Sequence, residues 1–308
     1  MKIKSFELSY EKKFIGVHAV LYALFKSDGF LDCNAMIAQA QLMIDNKIDG
    51  INVLGLATEV QKLSLKEQAQ IIQIISKTVD NKIPLSVTVT GNSIHEQREK
   101  IEIAIACDAD LIILQPPTLG IFTTEVYVEF FKRVTSGYDC PFAIQYAPQY
   151  LGSSFNIEKI DLFLKEITNL RIIKAECNAV DFAKLSENLN KKLLLMNGRG
   201  GKDIISCMET GASGFILAPD VIDFSKYIFD IWHKGYTEEA SNCYSRILPS
   251  ISFIMESIEH LICYGKRLFA LRAGFTIHDR LPALAPTNFG IKTIEKLAYE
   301  LGSFGLKT

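Results

Sequence analysis

Short apolar, β-branched runs alternate with amphipathic stretches eight times in succession, and this periodicity limits the fold more than any other feature of the chain. The runs are Phe14–Leu24, Gly50–Leu56, Pro84–Gly91, Leu111–Pro116, Pro141–Ala147, Arg171–Glu176, Leu193–Asn197 and Gly214–Ala218. Between them, stretches such as Ala35–Asp45 and Leu65–Val79 carry apolar residues at i, i+3, i+4 and i+7, the spacing of one helix face. Ser64 precedes the second of these with Glu67 three residues on, a helix-start signal. A strand followed by a helix and then another strand needs a crossover, which sets the strands parallel.

Eight parallel strands can close into a barrel. An open doubly wound sheet would usually carry GxGxxG after its first strand, and none is present. The glycine-rich piece Gly198-Arg199-Gly200-Gly201 follows the seventh strand instead, which suits a loop at a barrel mouth. The expected fold is therefore α/β: a (β/α)8 TIM barrel over residues 1–235, with a C-terminal helical extension over 236–308. The extension reads as three helices. The chain is helical from Thr237 to about Arg272 with Pro249 as an interruption, and again from about Thr293 to Leu301.

Composition narrows the function classes. The net charge of −2 gives no electrostatic basis for a nucleic-acid partner or an anionic membrane. No run approaches the ~18 consecutive apolar residues of a membrane span. The first residues, MKIKSFELSYEKKF, are charged and lack the apolar core of a signal peptide, so a cytoplasmic location is expected. The seven cysteines show neither CxxC nor zinc-ligand spacing. They read as reduced, mostly buried small residues, and no metal or cofactor is expected.

In such a barrel the chemistry sits at the C-terminal ends of the strands. Those ends are Gly55-Leu56-Ala57-Thr58-Glu59, Gln115-Pro116-Pro117-Thr118, Gln145-Tyr146-Ala147-Pro148, Lys174-Ala175-Glu176 and Asn197-Gly198-Arg199, with Ile216 on the eighth strand. Lys174 constrains function most. It stands where an apolar run stops, and a buried lysine amine is disfavoured in its charged form. A neutral amine is the nucleophile that attacks a ketone to form a Schiff base. Glu176, two residues on, faces the same side and is the candidate proton carrier. The proposed catalytic residues are thus Lys174 and Glu176; Gly55, Ala57, Thr58, Gln145, Gly198, Arg199 and Ile216 are the proposed substrate-binding set.

Blander readings stand beside these. Lys174 is a surface lysine, or Glu176 serves only to pair with it. Arg199 holds a distal carboxylate or hydroxyls, or is solvated. Glu59 orients its loop or is structural. Tyr146 points away from the pocket, because neighbours on a strand face opposite sides. His18 and His260 are packing residues, Cys177 is filler, and Tyr264-Gly265-Lys266-Arg267 is a helix break and contact.

Together, Gly55–Glu59, Ile144–Pro148, Ile173-Lys174 and Asn197-Gly198 resemble, in order and spacing, the motifs of the dihydrodipicolinate synthase / N-acetylneuraminate lyase family of class I aldolases. The resemblance covers roughly residues 14 to 275. It implies a barrel with C-terminal helices, usually a homotetramer, and an imine between the lysine and a 2-oxo acid. Departures accompany it. Leu56 and Ala57 stand where the family carries hydroxyls. Gln145 replaces the proton-shuttling tyrosine, Thr118 a second tyrosine, and Tyr150 an arginine that holds the aldehyde substrate's carboxylate. The resemblance and its departures imply a Schiff-base-forming lyase, aldolase or dehydratase acting on a 2-oxo acid such as a 2-keto-3-deoxy sugar acid, in a homo-oligomer (dimer or tetramer). The alternatives are synthase-like condensation of pyruvate with an aldehyde, or a non-catalytic barrel that binds a keto acid.

Overall fold

A computed structural model describes residues 12–152 and 155–305. The stretch MKIKSFELSYE, which bears most of the leader expectation, lies outside them. Eight strands, β1 (Gly16–Val20), β2 (Gly50–Val53), β3 (Leu85–Val89), β4 (Leu111–Leu114), β5 (Phe142–Tyr146), β6 (Leu170–Ala175), β7 (Leu194–Asn197) and β8 (Gly214–Leu217), pair in parallel. They close into one barrel, with β8 returning to β1. The principal crossover helices are Cys33–Asp45, Leu65–Val79, Ile94–Ala106, Thr124–Thr135, Ile160–Glu166, Ala179–Leu189 and Ile204–Glu209. The Ser64/Glu67 capping box is formed. Among the described residues no single helix is long and apolar enough to cross a membrane.

Only the middle of the first apolar run is strand. After Val20 the chain leaves the ladder, and Leu21 to Phe25 are buried as a connecting segment. Their apolarity serves contact with the C-terminal extension, as in the Tyr22–Phe269 ring pair at 6.1 Å. An apolar run reports burial, and strand geometry needs a ladder partner as well.

The register fixes what lines the barrel. Partners on adjacent parallel strands carry their side chains to the same face, and successive residues alternate. Thr88 pairs with Ile113, Ile113 with Ala143, Ala143 with Ile172, Gln145 with Lys174 and Lys174 with Met196. These residues share one parity and point inward. The opposite parity (Val87, Ile112, Ile144, Ile173) is apolar and packs under the helices.

The barrel's last helix, Ile222–His233, is followed by Thr237–Ile254, Ile258–Ala273 and Asn288–Leu301. Three helices were expected beyond residue 236, but their joints differ. Pro249 lies inside the first of them. The break comes at Met255–Ser257, where the axis turns by 107° and Ser257 accepts a hydrogen bond from the His260 N–H to start the next helix. Tyr264–Arg267 is not a break, because a π-helical turn over Leu261–Gly265 runs straight into Lys266. The last helix starts at Asn288, ahead of the expected Thr293, because Thr287 caps it through the Gly290 N–H.

One buried arginine ties this extension to the barrel. Arg272 donates to both carboxylate oxygens of Asp223, at 2.9 and 2.6 Å, and to the carbonyls of Asp220 and Gly302. The adjacent Asp220 side chain accepts from the Tyr22 hydroxyl at 3.0 Å. Burial pushes the Asp220 carboxyl up to about 7; the Tyr22 hydrogen bond and Arg272 oppose the shift. The folded protein therefore keeps a proton on Asp220 at pH values where the unfolded chain, titrating near 4, releases it. Stability contributed by this group is fully present below about pH 4 and is lost as pH rises to about 7. Asp220→Asn keeps the acceptor for Tyr22 and removes the ionisation. Urea denaturation from pH 5 to pH 8 is expected to show the variant gaining on the wild type as pH rises, by up to a few kcal/mol, and levelling off above pH 7.

Candidate active site

Lys174 is carried inward by β6 and is 1% exposed. The next inward-facing residue, Glu176, lies just past the strand, but its N–H still bonds to the Tyr146 carbonyl at 2.7 Å. That bond keeps the carboxylate over the barrel axis, where Oε1 lies 3.1 Å from Lys174 Nζ. Two opposite charges taken out of water together need such a pairing. The second carboxylate oxygen, Oε2, accepts from Gln145 Nε2 at 2.7 Å, and Gln145 Oε1 accepts from Gln115 Nε2 at 2.9 Å. A buried chain Gln115–Gln145–Glu176–Lys174 thus crosses the barrel mouth.

The seventh strand supports this chain from the other side. Asn197 donates to the Ala175 carbonyl at 2.9 Å and braces the end of β6. Gly198 leaves the space that Glu176 fills: a Cβ there would stand 2.7 Å from both Cγ and Oε1 of the carboxylate. Arg199 follows in the left-handed region, with φ 55°, uncommon for a residue with a side chain. Its guanidinium bonds Asp203 at 2.8 Å, and its buried Nε has no hydrogen-bond partner among the described residues. Tyr150 lies beside Arg199. Burial and the Glu176 charge push its hydroxyl up to about 12, against the pull of Arg199.

A cavity of about 30 Å³ lies directly on Lys174 and Glu176. Leu56, Met255, Ile258 and Leu261 roof it, while Tyr150 and Arg199 form a polar flank. It adjoins a vestibule of about 470 Å³ lined by polar groups such as Gln149, Lys202, Glu256, Ser257 and Glu259. Leu56, Met255 and Ile258 border both spaces, as do Tyr150 and Arg199, so Lys174 lies behind a partly apolar boundary crossed by two polar side chains. A further cleft of about 440 Å³, between Glu59–Lys62 and Pro282–Leu284, contains none of the buried polar chain.

The sequence-derived residues divide as follows. Lys174, Glu176 and Gln145 meet; Ala57, Arg199 and Ile216 line the cavity, and Gly198 sits against Glu176. Gly55 starts the turn Leu56–Thr58, where a Cβ would come 2.7 Å from Val20. The Thr58 hydroxyl is turned into the fold, donating to the Leu21 carbonyl at 2.7 Å. Glu59 is held by Lys62 and by the buried Lys266, which ties its loop to the extension. Tyr146 packs on Phe155 at 5.1 Å. Thr118 bonds Asn92 through its N–H and hydroxyl, at an exposed position. Burial lowers His18 to about 4 and raises the Cys177 thiol to about 12, so neither offers its reactive charged form near neutral pH. Gln115 and Leu56 stand in the strand-end segments of the sequence without an assigned role in the site, and the roof residues Met255, Ile258 and Leu261 are not marked by the sequence at all. The parity of β4 was the available signal for Gln115, two residues beyond the inward-facing Ile113. For the last three, sequence shows only helix.

Residues 13–279 match the model of the dihydrodipicolinate synthetase family. A 4-hydroxy-tetrahydrodipicolinate synthase of Lactococcus lactis is 25% identical over 74% of this chain and 77% of its own length. The Escherichia coli protein YjhH, described as a probable 2-dehydro-3-deoxy-D-pentonate aldolase, is 22% identical over 84% of this chain and 89% of its own. Among solved structures, a putative dihydrodipicolinate synthetase of Pseudomonas aeruginosa superposes with a TM-score of 0.87 at 21% identity, covering 94% of this chain and 99% of its own. Escherichia coli YagE, solved in complex with pyruvate, gives 0.86 at 18% identity, covering 94% and 98%.

The contact between Gly198 and Glu176 makes a checkable demand. Gly198→Ala is expected to push the carboxylate off Lys174 and leave a buried ammonium without its partner. A crystal structure of the variant should show the Nζ–Oε1 separation opened beyond hydrogen-bond range. Its unfolding free energy should fall by an amount approaching the ~3–5 kcal/mol of a broken buried pair. An unchanged separation would mean that the backbone yields instead.

Proposed function

The chain belongs to the dihydrodipicolinate synthetase family, a family of lyases, and from that premise we propose that it is a Schiff-base-forming lyase, aldolase or dehydratase acting on a 2-oxo acid with a hydroxylated tail, of the 2-keto-3-deoxy sugar acid class. The observation that carries this is the Lys174 amine, buried and 3.1 Å from a carboxylate, at the floor of a cavity. Glu176 is placed to take the ammonium proton. The neutral amine then adds to the substrate's C2 carbonyl, and Glu176 returns its proton to the carbinolamine hydroxyl, which leaves as water and gives the protonated imine. For cleavage, Glu176 removes the proton of the C4 hydroxyl. The C3–C4 pair moves toward C2, giving the enamine on Lys174 and releasing an aldehyde.

The remaining residues divide between head and tail of the substrate. In the turn after β2, the N–H groups of Thr58 and Glu59 are used internally, so those of Leu56 and Ala57 are the donors for the head carboxylate. The apolar roof keeps water from the imine. Arg199, whose Nε has no partner among the described residues, and the polar vestibule suit a hydroxylated or anionic tail. Residues 1–235 form the catalytic barrel on this reading, and 236–308 supply its roof. The reaction is placed in the cytoplasm. A homo-oligomer is supported by the exposed apolar side chains Leu119 and Ile121 in the loop after β4.

Gln145 does not titrate near neutral pH, which argues against efficient condensation of pyruvate with aspartate semialdehyde. That reaction is expected to run far below the ~10 per second of a median enzyme, and a rate at that level would overturn the substrate assignment. Borohydride reduction in the presence of pyruvate should add mass to one peptide, the one containing Lys174. Trapping that persists in Lys174→Ala would remove the lysine from its role. Glu176→Gln should still be trapped and should lose turnover of a 3-deoxy-2-oxo acid by ~10²–10⁴. Full turnover in that variant would move proton transfer elsewhere. Trapping without turnover of any member of a substrate panel would favour a keto-acid-binding barrel.

A further inference from the structure

Gln115 does not border the cavity, yet it is the start of the hydrogen-bond chain that ends on the nucleophile. It is 2% exposed and Gln145 is fully buried. Its backbone is fixed on both sides: its N–H bonds the Val89 carbonyl at 3.0 Å, and its carbonyl accepts from Gln97 Nε2 at 2.9 Å. From this clamped position its side-chain amide donates to Gln145 Oε1 at 2.9 Å.

A carboxamide has one accepting end and one donating end. The two ends of Gln145 face Gln115 and Glu176. With the oxygen on Gln115, the NH₂ group reaches Glu176 Oε2 at 2.7 Å. Turned over, the amide oxygen would face a carboxylate oxygen and two NH₂ groups would face each other. Gln115 and Glu176 therefore fix between them which way Gln145 points, Gln115 by engaging the oxygen end, and Gln145 decides which carboxylate oxygen is occupied. Oε2 is held by an N–H, and Oε1 alone faces Lys174.

We propose that Gln115 is a positioning residue which, by orienting the Gln145 amide, confines proton exchange at Glu176 to the oxygen that faces the imine. The inference rests on the function proposed above. It extends that function to a group that touches neither substrate nor lysine. The step concerned is the proton transfer after imine formation. Glu176 Oε1 takes a proton from C3, the C3–H electron pair becomes the C2=C3 bond of the enamine, and the iminium nitrogen is neutralised. In D₂O the reverse step returns a deuteron to C3.

Pyruvate alone reports this step, through loss of its methyl signal in ¹H NMR in D₂O, while borohydride trapping of pyruvate reports the imine separately. Gln115→Met fills a similar volume and cannot donate. It is expected to trap pyruvate as the wild type does and to exchange roughly tenfold more slowly, within the range of coupled hydrogen-bonded neighbours. Gln115→Glu, which offers an acceptor and so competes with Glu176 for the NH₂ group of Gln145, should be slower still. In a Gln145→Met background, Gln115→Met should have no further effect, because its only route to Glu176 is gone. Gln115→Asn keeps the amide but is too short to reach Gln145, and carries the same comparison if the methionine variant does not fold. Wild-type exchange in Gln115→Met, or an equal slowing in the Gln145→Met background, overturns the positioning role alone. A wild type that neither traps nor exchanges overturns the Schiff-base function and this role with it.

Discussion

The burial of one ammonium group inside a closed sheet is the constraint on which the arrangement of this protein turns. A charge removed from water is costly, and a partner of opposite charge compensates only with good geometry and with its remaining lone pairs satisfied. Lys174 meets both conditions through Glu176, whose two oxygens are divided between the lysine and Gln145. The features around the pair follow from it. Gly198 is small because a side chain would enter the carboxylate's space. Asn197 braces the strand end that holds both charged residues.

The pair's legibility in the sequence has a simple physical cause. Lys174 and Glu176 are two residues apart, so strand periodicity alone puts them on one face, and a lysine closing an apolar run is conspicuous. The eight-fold alternation made the barrel equally readable, because it depends on local pattern and on the crossover rule. Contacts between strands are another matter. Gln115 and Gln145 are separated by a whole crossover connection, and their meeting depends on a register of β4 against β5 that no local pattern specifies. Thr118, which stands where the resemblance implies a second tyrosine, lies past the ladder and bonds to Asn92 at an exposed position.

The extension shows the same limit in helices. Proline is a strong breaker signal, and Pro249 is nevertheless accommodated within a helix. The real turn, at Met255–Ser257, is set by a serine cap and by packing. Gly200 has room for nothing larger than hydrogen against Met255, whose Sδ would lie 2.4 Å from an added Cβ. The elbow is thus fitted onto the loop after β7. This is how a segment with no chemical signature in its sequence comes to supply the roof of the site.

That roof bears on how a site lacking hydroxyl groups at Leu56 and Ala57 can serve imine chemistry. On the function proposed above, the apolar groups over the lysine serve the covalent step, while Tyr150 and Arg199, which reach from that cavity into the polar vestibule, serve the tail of a hydroxylated substrate. The proton has a short path in such a site. Lys174 and Glu176 are close enough to exchange it directly, and Tyr150, its hydroxyl raised to about 12, is suited to donate a hydrogen bond rather than to act as a base. A tyrosine relay reaching across the mouth is then unnecessary. The two glutamines that stand along the barrel wall hold the carboxylate in place without competing for its proton, because neither amide titrates near neutral pH.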